Sequence, residues 1–226
     1  MAPVCDVLRL GPAPVPYRDA LERQRNLQRR RQAGEIPDTL ILLEHNPVIT
    51  IGRGSRDAAD LLADEATLLA RGIELVETDR GGEMTYHGPG QLVGYPILSL
   101  EERGKDLHKY LRDLEQTIID TLAHFDVNGG RIAGLTGVWV GDAKICAMGI
   151  KVTRWVTMHG FALNIDPDLT PFRRDIVPCG ITDRGVTSLA ELGVEATHTE
   201  VEDTYLAAFA RVFGVELREV GNVDIG

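Results

Sequence analysis

The sequence predicts an α/β chain of the α+β type, in which one mixed β-sheet carries packed helices without the regular alternation of a doubly wound fold. Three observations carry that prediction. Four stretches show helical periodicity, seven short β-type runs lie among them, and two joints between runs hold turn residues that make hairpins. Strands joined by hairpins beside strands separated by helices require a sheet of mixed direction.

The first helix is predicted from about Tyr17 to Gln32, between Pro16 as a start signal and Gly34 as a stop. A second, over about 58–70, places Leu61, Leu62, Leu68 and Leu69 on one side and ends before Gly72. The clearest spans about 107–125, where Leu107, Leu111, Leu114, Ile118, Leu122 and Phe125 recur at helical spacing. The last opens on a capping-box pattern at Thr199-Glu-Val-Glu202 and would bury Tyr205, Leu206, Phe209 and Val212 before Gly214. The β-type runs are 39–44, 48–51, 73–77, 92–98, 137–140, 145–152 and 155–164, with hairpins at Gly141-Asp142 and around Thr153-Arg154.

With 226 residues, 43% of them hydrophobic, the chain can bury a full core and reads as one domain over 1–226. No apolar run approaches the roughly 20 residues needed to span a bilayer. The N-terminus Met-Ala-Pro-Val-Cys-Asp lacks the basic and apolar segments of a secretory signal. Cys5, Cys146 and Cys179 are too few and too scattered for a disulfide framework or a zinc site, so the expectation is a cytoplasmic protein without cofactor or metal. The net charge of −10 argues against nucleic acid and anionic membranes as partners. An acidic partner would need a local basic patch. Arg29-Arg30-Arg31, Arg53 with Arg56, Lys151 with Arg154, and Arg173-Arg174 are candidates, and each also reads as a solvated face.

The densest signal is Arg80-Gly-Gly-Glu-Met-Thr-Tyr-His-Gly-Pro-Gly-Gln-Leu92. Four glycines and a proline are interleaved there with hydrogen-bonding side chains. Glycine lets backbone turn sharply or lie against a ligand, so the run reads as a loop that wraps something. A glycine-rich hairpin turn is the plain alternative. Neither a phosphate loop nor a dinucleotide fingerprint fits its spacing.

Cys179 stands between Pro178 and Gly180, at a rigid bend that can hold a thiol toward a cleft and free backbone N–H groups for an oxyanion. Its thiolate would need a nearby cation or base. Lys144, at the mouth of the apolar run Ile145-Cys-Ala-Met-Gly-Ile150, either faces solvent or is partly desolvated and able to exchange protons. Together they could form a cysteine–lysine dyad. Cys146 reads as sheet packing, and Cys5 as a structural residue of an edge strand. No two of the six histidines have metal-site spacing. His45 reads as structural, whereas His87 and His159 are either structural or part of a ligand wall.

Taken together, Arg80-Gly-Gly-x-x-Thr-Tyr-His-Gly-Pro-Gly-Gln91, Gly137-Val-Trp-Val, Lys144-Ile-Cys, His159-Gly-Phe-Ala-Leu-Asn164 and Pro178-Cys-Gly180 resemble the octanoyl-carrier-protein:protein N-octanoyltransferase, or lipoyl(octanoyl) transferase, family. The resemblance runs in order from about Thr39 to Leu189, and Glu83-Met84 fall where the family pattern is loose. It implies a biotin/lipoate-protein-ligase-like fold and octanoyl transfer from octanoyl-acyl carrier protein to lysines of lipoyl domains. The acceptors implied are the lipoyl domains of 2-oxoacid dehydrogenase complexes and the glycine cleavage H protein. Carried over by position, Cys179 looks like the acyl-accepting nucleophile and Lys144 like its proton partner. Arg173-Arg174, a few residues before Cys179, is the leading candidate for the patch that meets the acidic carrier. The substrate walls would be Arg80, Gly81, Gly82, Glu83, Met84, Thr85, Tyr86 and His87, then Ala147, Met148 and Gly149, and Gly160, Phe161 and Ala162. The rivals are an ATP-dependent lipoate or biotin ligase, which needs no cysteine nucleophile, and a non-catalytic acyl- or carrier-binding module, which needs no Lys144.

Overall fold

The computed structural model describes residues 2–55, 61–176 and 184–221. Cys179, its neighbours Pro178 and Gly180, and Arg56 lie outside the described residues. In chain order the elements are β1 (Val4–Val15), α1 (Tyr17–Gln32), β2 (Asp38–His45), β3 (Val48–Ile51), α2 (Glu65–Ala70), β4 (Glu74–Glu77), β5 (Met84–His87), β6 (Gln91–Ile97) and α3 (Leu107–His124). They continue with β7 (Val138–Val140), β8 (Ala143–Thr153), β9 (Val156–Asn164), α4 (Thr170–Arg174), β10 (Gly185–Val186), α5 (His198–Phe213) and β11 (Glu216–Glu219).

The architecture is the expected mix of sheet and helix, but the strands form two sheets. The larger has the order β10-β8-β9-β6-β2-β1-β11, with β7 pairing β8, and the smaller the order β4-β3-β5. Direction is mixed as predicted. β1 lies parallel to β2 and β11, and β10 parallel to β8, while β2–β6, β6–β9, β8–β9 and β7–β8 are antiparallel.

Helix α1 covers one face of the large sheet, burying Tyr17, Leu21 and Leu27 among Ile41, Val93 and Met158. Two buried glutamines of that helix fasten it to β9. The His159 N–H donates to Gln24 Oε1 (2.9 Å), and Gln28 Nε2 donates to the Val156 carbonyl (2.9 Å). Helices α3 and α5 cover the other face, where Leu114, Ile118, Tyr205 and Phe209 share a core with Leu42, Leu92 and Phe161. A third apolar cluster, with Ile49, Leu68, Tyr86 and Phe172, lies around the small sheet.

Several expectations need correction. Residues 61–64 are not helical, because the Asp64 side chain accepts the Thr67 N–H and starts α2 at Glu65. Within that short helix only Leu68 is fully buried, and Leu62 and Leu69 face solvent. The capping box of α5 is formed by Thr197 and Glu200, two residues before the pair expected, since both pairs satisfy the same spacing. Phe213 is buried at its end where Val212 is only half-buried. Cys5 is not on an edge strand, because β11 pairs with β1 and takes the edge. The β8–β9 hairpin turns on Arg154 and Trp155, both left-handed (φ 47° and 58°), one residue later than expected.

Candidate active site

The glycine-rich run is not one loop. It comprises a bend at 80–83, strand β5, a turn and the start of β6, and because β5 and β6 belong to different sheets it is not a hairpin either. It bridges the two sheets beside a mainly apolar cavity of about 250 Å³. The cavity floor is the β8–β9 pair, with Ala147 opposite Ala162, Met148 opposite Phe161 and Gly149 opposite Gly160. Arg80, Gly82, Glu83, Met84, Thr85 and His87 form a second wall.

Two of the expected wall residues turn elsewhere. The Gly81 N–H donates to the Ile150 carbonyl (2.9 Å), tying the bend to β8. The Tyr86 ring packs edge-on against Phe172, with ring centroids 5.6 Å apart. Alternation along β5 sends Thr85 and His87 to one side of the strand and Tyr86 to the other.

Arg80 is a scaffold cation. It is buried, its Nη2 donates to the Thr50 carbonyl and hydroxyl (2.8 Å each), and its Nη1 donates to the Gly81 carbonyl (3.1 Å). The bend lies so close to β8 that a Cβ on Gly149 would stand 2.6 Å from the Gly81 carbonyl oxygen. Only glycine permits that approach.

His159 is held in a conformation rare for a non-glycine residue, with φ 60° within a strand. Such a backbone costs on the order of 1–3 kcal/mol and persists only when its surroundings impose it. Here the Gln24 side chain holds the His159 N–H, and Nε2 lies 2.8 Å from Asp79 Oδ1. Lys151 Nζ donates to the other Asp79 oxygen (2.6 Å). The His159 hydrogen bond and Lys151 hold the Asp79 carboxyl well below the usual range against its partial burial. Burial lowers the His159 pKa, with Asp79 opposing.

Deeper in the wall, Tyr17 stacks on His87 (centroids 6.1 Å apart, planes 12° apart), and His45 sits 5.6 Å from His87. His45 Nδ1 faces the Val15 carbonyl (2.9 Å) and therefore donates, so Nε2 accepts from the Tyr95 hydroxyl (2.6 Å). His87 Nδ1 donates to Gln91 Oε1 (3.2 Å). Gln91 donates to Asn164 (2.9 Å), which donates to the Thr187 carbonyl (2.9 Å). Burial pushes His45 down to about 4 and His87 well below its ordinary value, so both imidazoles are neutral at pH 7. Burial raises Tyr17 to about 12.

Lys144 enters the same cavity from β8. It is only 8% exposed, and its Nζ stands 4.8 Å from the centre of the Trp139 ring, within cation–π range. The segment containing Cys179 is flanked by cavity residues, Phe172 before it and Val186 after it, and Val186 pairs with Lys144 across β10–β8. Cys5 and Cys146 are fully buried, and burial pushes both thiols far up, out of reach of thiolate chemistry at neutral pH. Among the described residues, no group of three or more His, Cys, Asp or Glu side chains is placed to hold a metal ion.

Arg173 is paired with both carboxylate oxygens of Glu191 (2.8 Å each), and Arg174 with Asp175 (3.2 Å). Sequence reasoning missed Tyr17, Tyr95, Phe172, Val186 and the stretch Gly134–Leu135–Thr136, all of which line the cavity. It also missed Asp79, whose position beside Arg80 was the available signal.

Residues 16–210 match the family model of the lipoyl protein ligase A/B catalytic domain. The chain belongs to this family. Within it, an octanoyltransferase of Gloeobacter violaceus is 57% identical over 210 residues, covering 92% of this chain and 91% of the relative. A lipoate-protein ligase A solved with ATP shares the fold at a TM-score of 0.82 and 18% identity, covering 100% of this chain and 91% of that one. A bi-partite lipoate protein ligase from Thermoplasma acidophilum, studied with its E2 lipoyl domain, has a TM-score of 0.81 at 19% identity over 100% of this chain and 89% of that one. No helix among the described residues is long and apolar enough to cross a membrane.

Proposed function

We propose that this member of the family transfers an octanoyl group from octanoyl-acyl carrier protein to a lysine of a lipoyl domain, through a thioester on Cys179. The observation that supports it is the shared cavity. Lys144 and a mainly apolar wall suited to an acyl chain line one space, together with the residues that flank the Cys179 segment. High identity to named octanoyltransferases favours transfer over ATP-dependent ligation.

Lys144 takes the thiol proton, and the Cys179 sulfur attacks the carrier thioester carbonyl. The bond to the carrier sulfur breaks, the carrier leaves as a thiolate, and Lys144 returns the proton to it. One thioester replaces another, so this step is near balance. The acceptor amine then attacks the enzyme thioester and gives up a proton to Lys144. The Cys179 thiolate leaves and is reprotonated, and the amide product makes this step downhill without ATP. The neutral imidazoles of His45 and His87 add no positive charge to the cavity wall. The acceptors proposed are the lipoyl domains of 2-oxoacid dehydrogenase complexes and the glycine cleavage H protein.

The test is the mass of the intact enzyme after mixing with octanoyl-acyl carrier protein without ATP. A single octanoyl adduct on the wild type, absent in Cys179→Ser, is expected. Modification of the acceptor only when ATP and free octanoate are supplied would overturn the reading.

A further inference from the structure

We infer that Glu115 is a positioning residue for this reaction, holding the strap of residues 131–137 against both the cavity and Lys144; the inference rests on the function proposed above. Glu115 lies in the middle of α3 and is fully buried, between Leu114 and Ile118 of the core. A carboxylate in such a place is costly unless it is paired and hydrogen-bonded. Besides Arg112 of its own helix, its partners are at the two ends of one segment. Oε2 accepts from Arg131 Nε (2.8 Å) and also pairs with Arg112 Nη1 (2.7 Å), while Oε1 accepts the Gly137 N–H (3.1 Å). Arg131 is held further by the Arg112 carbonyl (2.9 Å) and Gln116 Oε1 (3.0 Å).

The segment clamped in this way carries cavity wall. Gly134, with φ 81°, reverses the chain and presents Leu135 and Thr136 beside it to the cavity. At the far end, Gly137 has φ 118°. A Cβ there would stand 2.6 Å from the Cys146 carbonyl oxygen and 3.6 Å from Lys144 Cε. The backbone that Glu115 grips is therefore the surface on which the lysine stem lies. Two residues on, the same backbone delivers the Trp139 ring that faces the Lys144 Nζ, and Trp139 is paired with Lys144 in the β7–β8 ladder. Glu115 touches no reacting group; it acts through the strap.

Two substitutions separate the clamp from the general stability of α3. Glu115→Gln keeps an oxygen for Gly137 and loses the charge that holds the arginines. Arg131→Met frees one end of the strap at a position 31% exposed and leaves the core untouched. Single-turnover octanoylation by octanoyl-acyl carrier protein would be measured well below each variant's melting temperature, with amide hydrogen exchange over 131–138. The expected result for Glu115→Gln is a saturating acylation rate lower by roughly 10- to 100-fold, the range for misplacing a reacting group by about 1 Å. Arg131→Met is expected to show a smaller loss of the same kind, and exchange at Gly137 should quicken in both. Should Glu115→Gln fail to fold, Arg131→Met decides alone. Wild-type acylation rates in the folded variants, whatever their exchange, overturn the inference. A wild-type enzyme that takes no octanoyl group overturns the proposed function instead, and exchange over the strap still decides whether Glu115 clamps it.

Discussion

The two walls of the cavity are built on opposite plans. In the glycine-rich wall Arg80 and Glu83 line the space, but the Arg80 guanidinium is held by the scaffold. Arg80 is spent on Thr50, and Asp79 on His159 and Lys151. On the β8 side the Lys144 Nζ is brought inward, against an indole and a glycine backbone, and only 8% of Lys144 stays exposed. The first plan makes a shape and the second makes a reactive group. A conspicuous motif can therefore serve mainly to position backbone, while the chemistry rests on a less conspicuous lysine.

The largest expected effect tests the reactive wall. Lys144→Met should lower single-turnover octanoyl transfer by about 10²- to 10⁴-fold, the usual worth of a general acid–base group, with little change in melting temperature. Retained activity would erase the distinction between the walls. Next comes the shaped wall. Gly149→Val places a side chain where Gly81 lies, and should cost about 1–3 kcal/mol of stability through overpacking. Transfer should fall with it, and a variant as stable and active as the wild type would mean that the close approach is dispensable.

Acid should reveal the neutral histidines. For His45 the folded-state pKa, about 4, lies below the unfolded value of about 6.5, so its contribution is complete above the unfolded value. That contribution is lost as pH falls from about 6.5 toward 4, because the unfolded chain binds protons that the folded chain refuses. His45 alone accounts for on the order of 3 kcal/mol of this loss, and His87 and His159 act in the same direction. Urea midpoints measured between pH 7 and pH 4 should fall steadily; a flat profile would contradict buried neutral imidazoles. Asp79→Asn should cost about 1 kcal/mol at pH 7 and leave less stability to lose below the ordinary carboxylate range, as chemical unfolding at pH 3 and pH 7 would show. The smallest effect is expected from Arg173→Glu with Arg174→Glu. Both cations already face carboxylates, so the apparent affinity for the acidic carrier should change by less than about threefold, in keeping with exposed ion pairs. A larger change would make that corner part of the docking surface.

Much of the fold was legible because its signals are local. Helical spacing found α3, and Gly141-Asp142 found the β7–β8 turn. The second sheet was not legible, since nothing in residues 48–51 says that they pair with 74–77 and 84–87 rather than with the main sheet. Most residues that line the floor and the glycine-rich wall are among those the family resemblance implied, and of the implied residues Gly81 and Tyr86 turn elsewhere. Tyr17, Asp79 and Glu115 were not implied, because each acquires its role from a partner distant in the chain. Glu115 looks like one more helix-surface acid until its burial against Arg131 and Gly137 is known.

The strand order also bears on how the site assembles. β7, β8 and β9 follow one another in sequence and pair as neighbours, so the floor of the cavity and the strand bearing Lys144 need only short loop closures. The bend at Arg80 meets β8 through a contact spanning 69 residues, Gly81 with Ile150, and the outer pairing of β1 with β11 joins positions more than 200 residues apart. Contacts of such high order form late and slowly. A folding chain should therefore hold its lysine in an open β-meander before the wall that shelters it has docked.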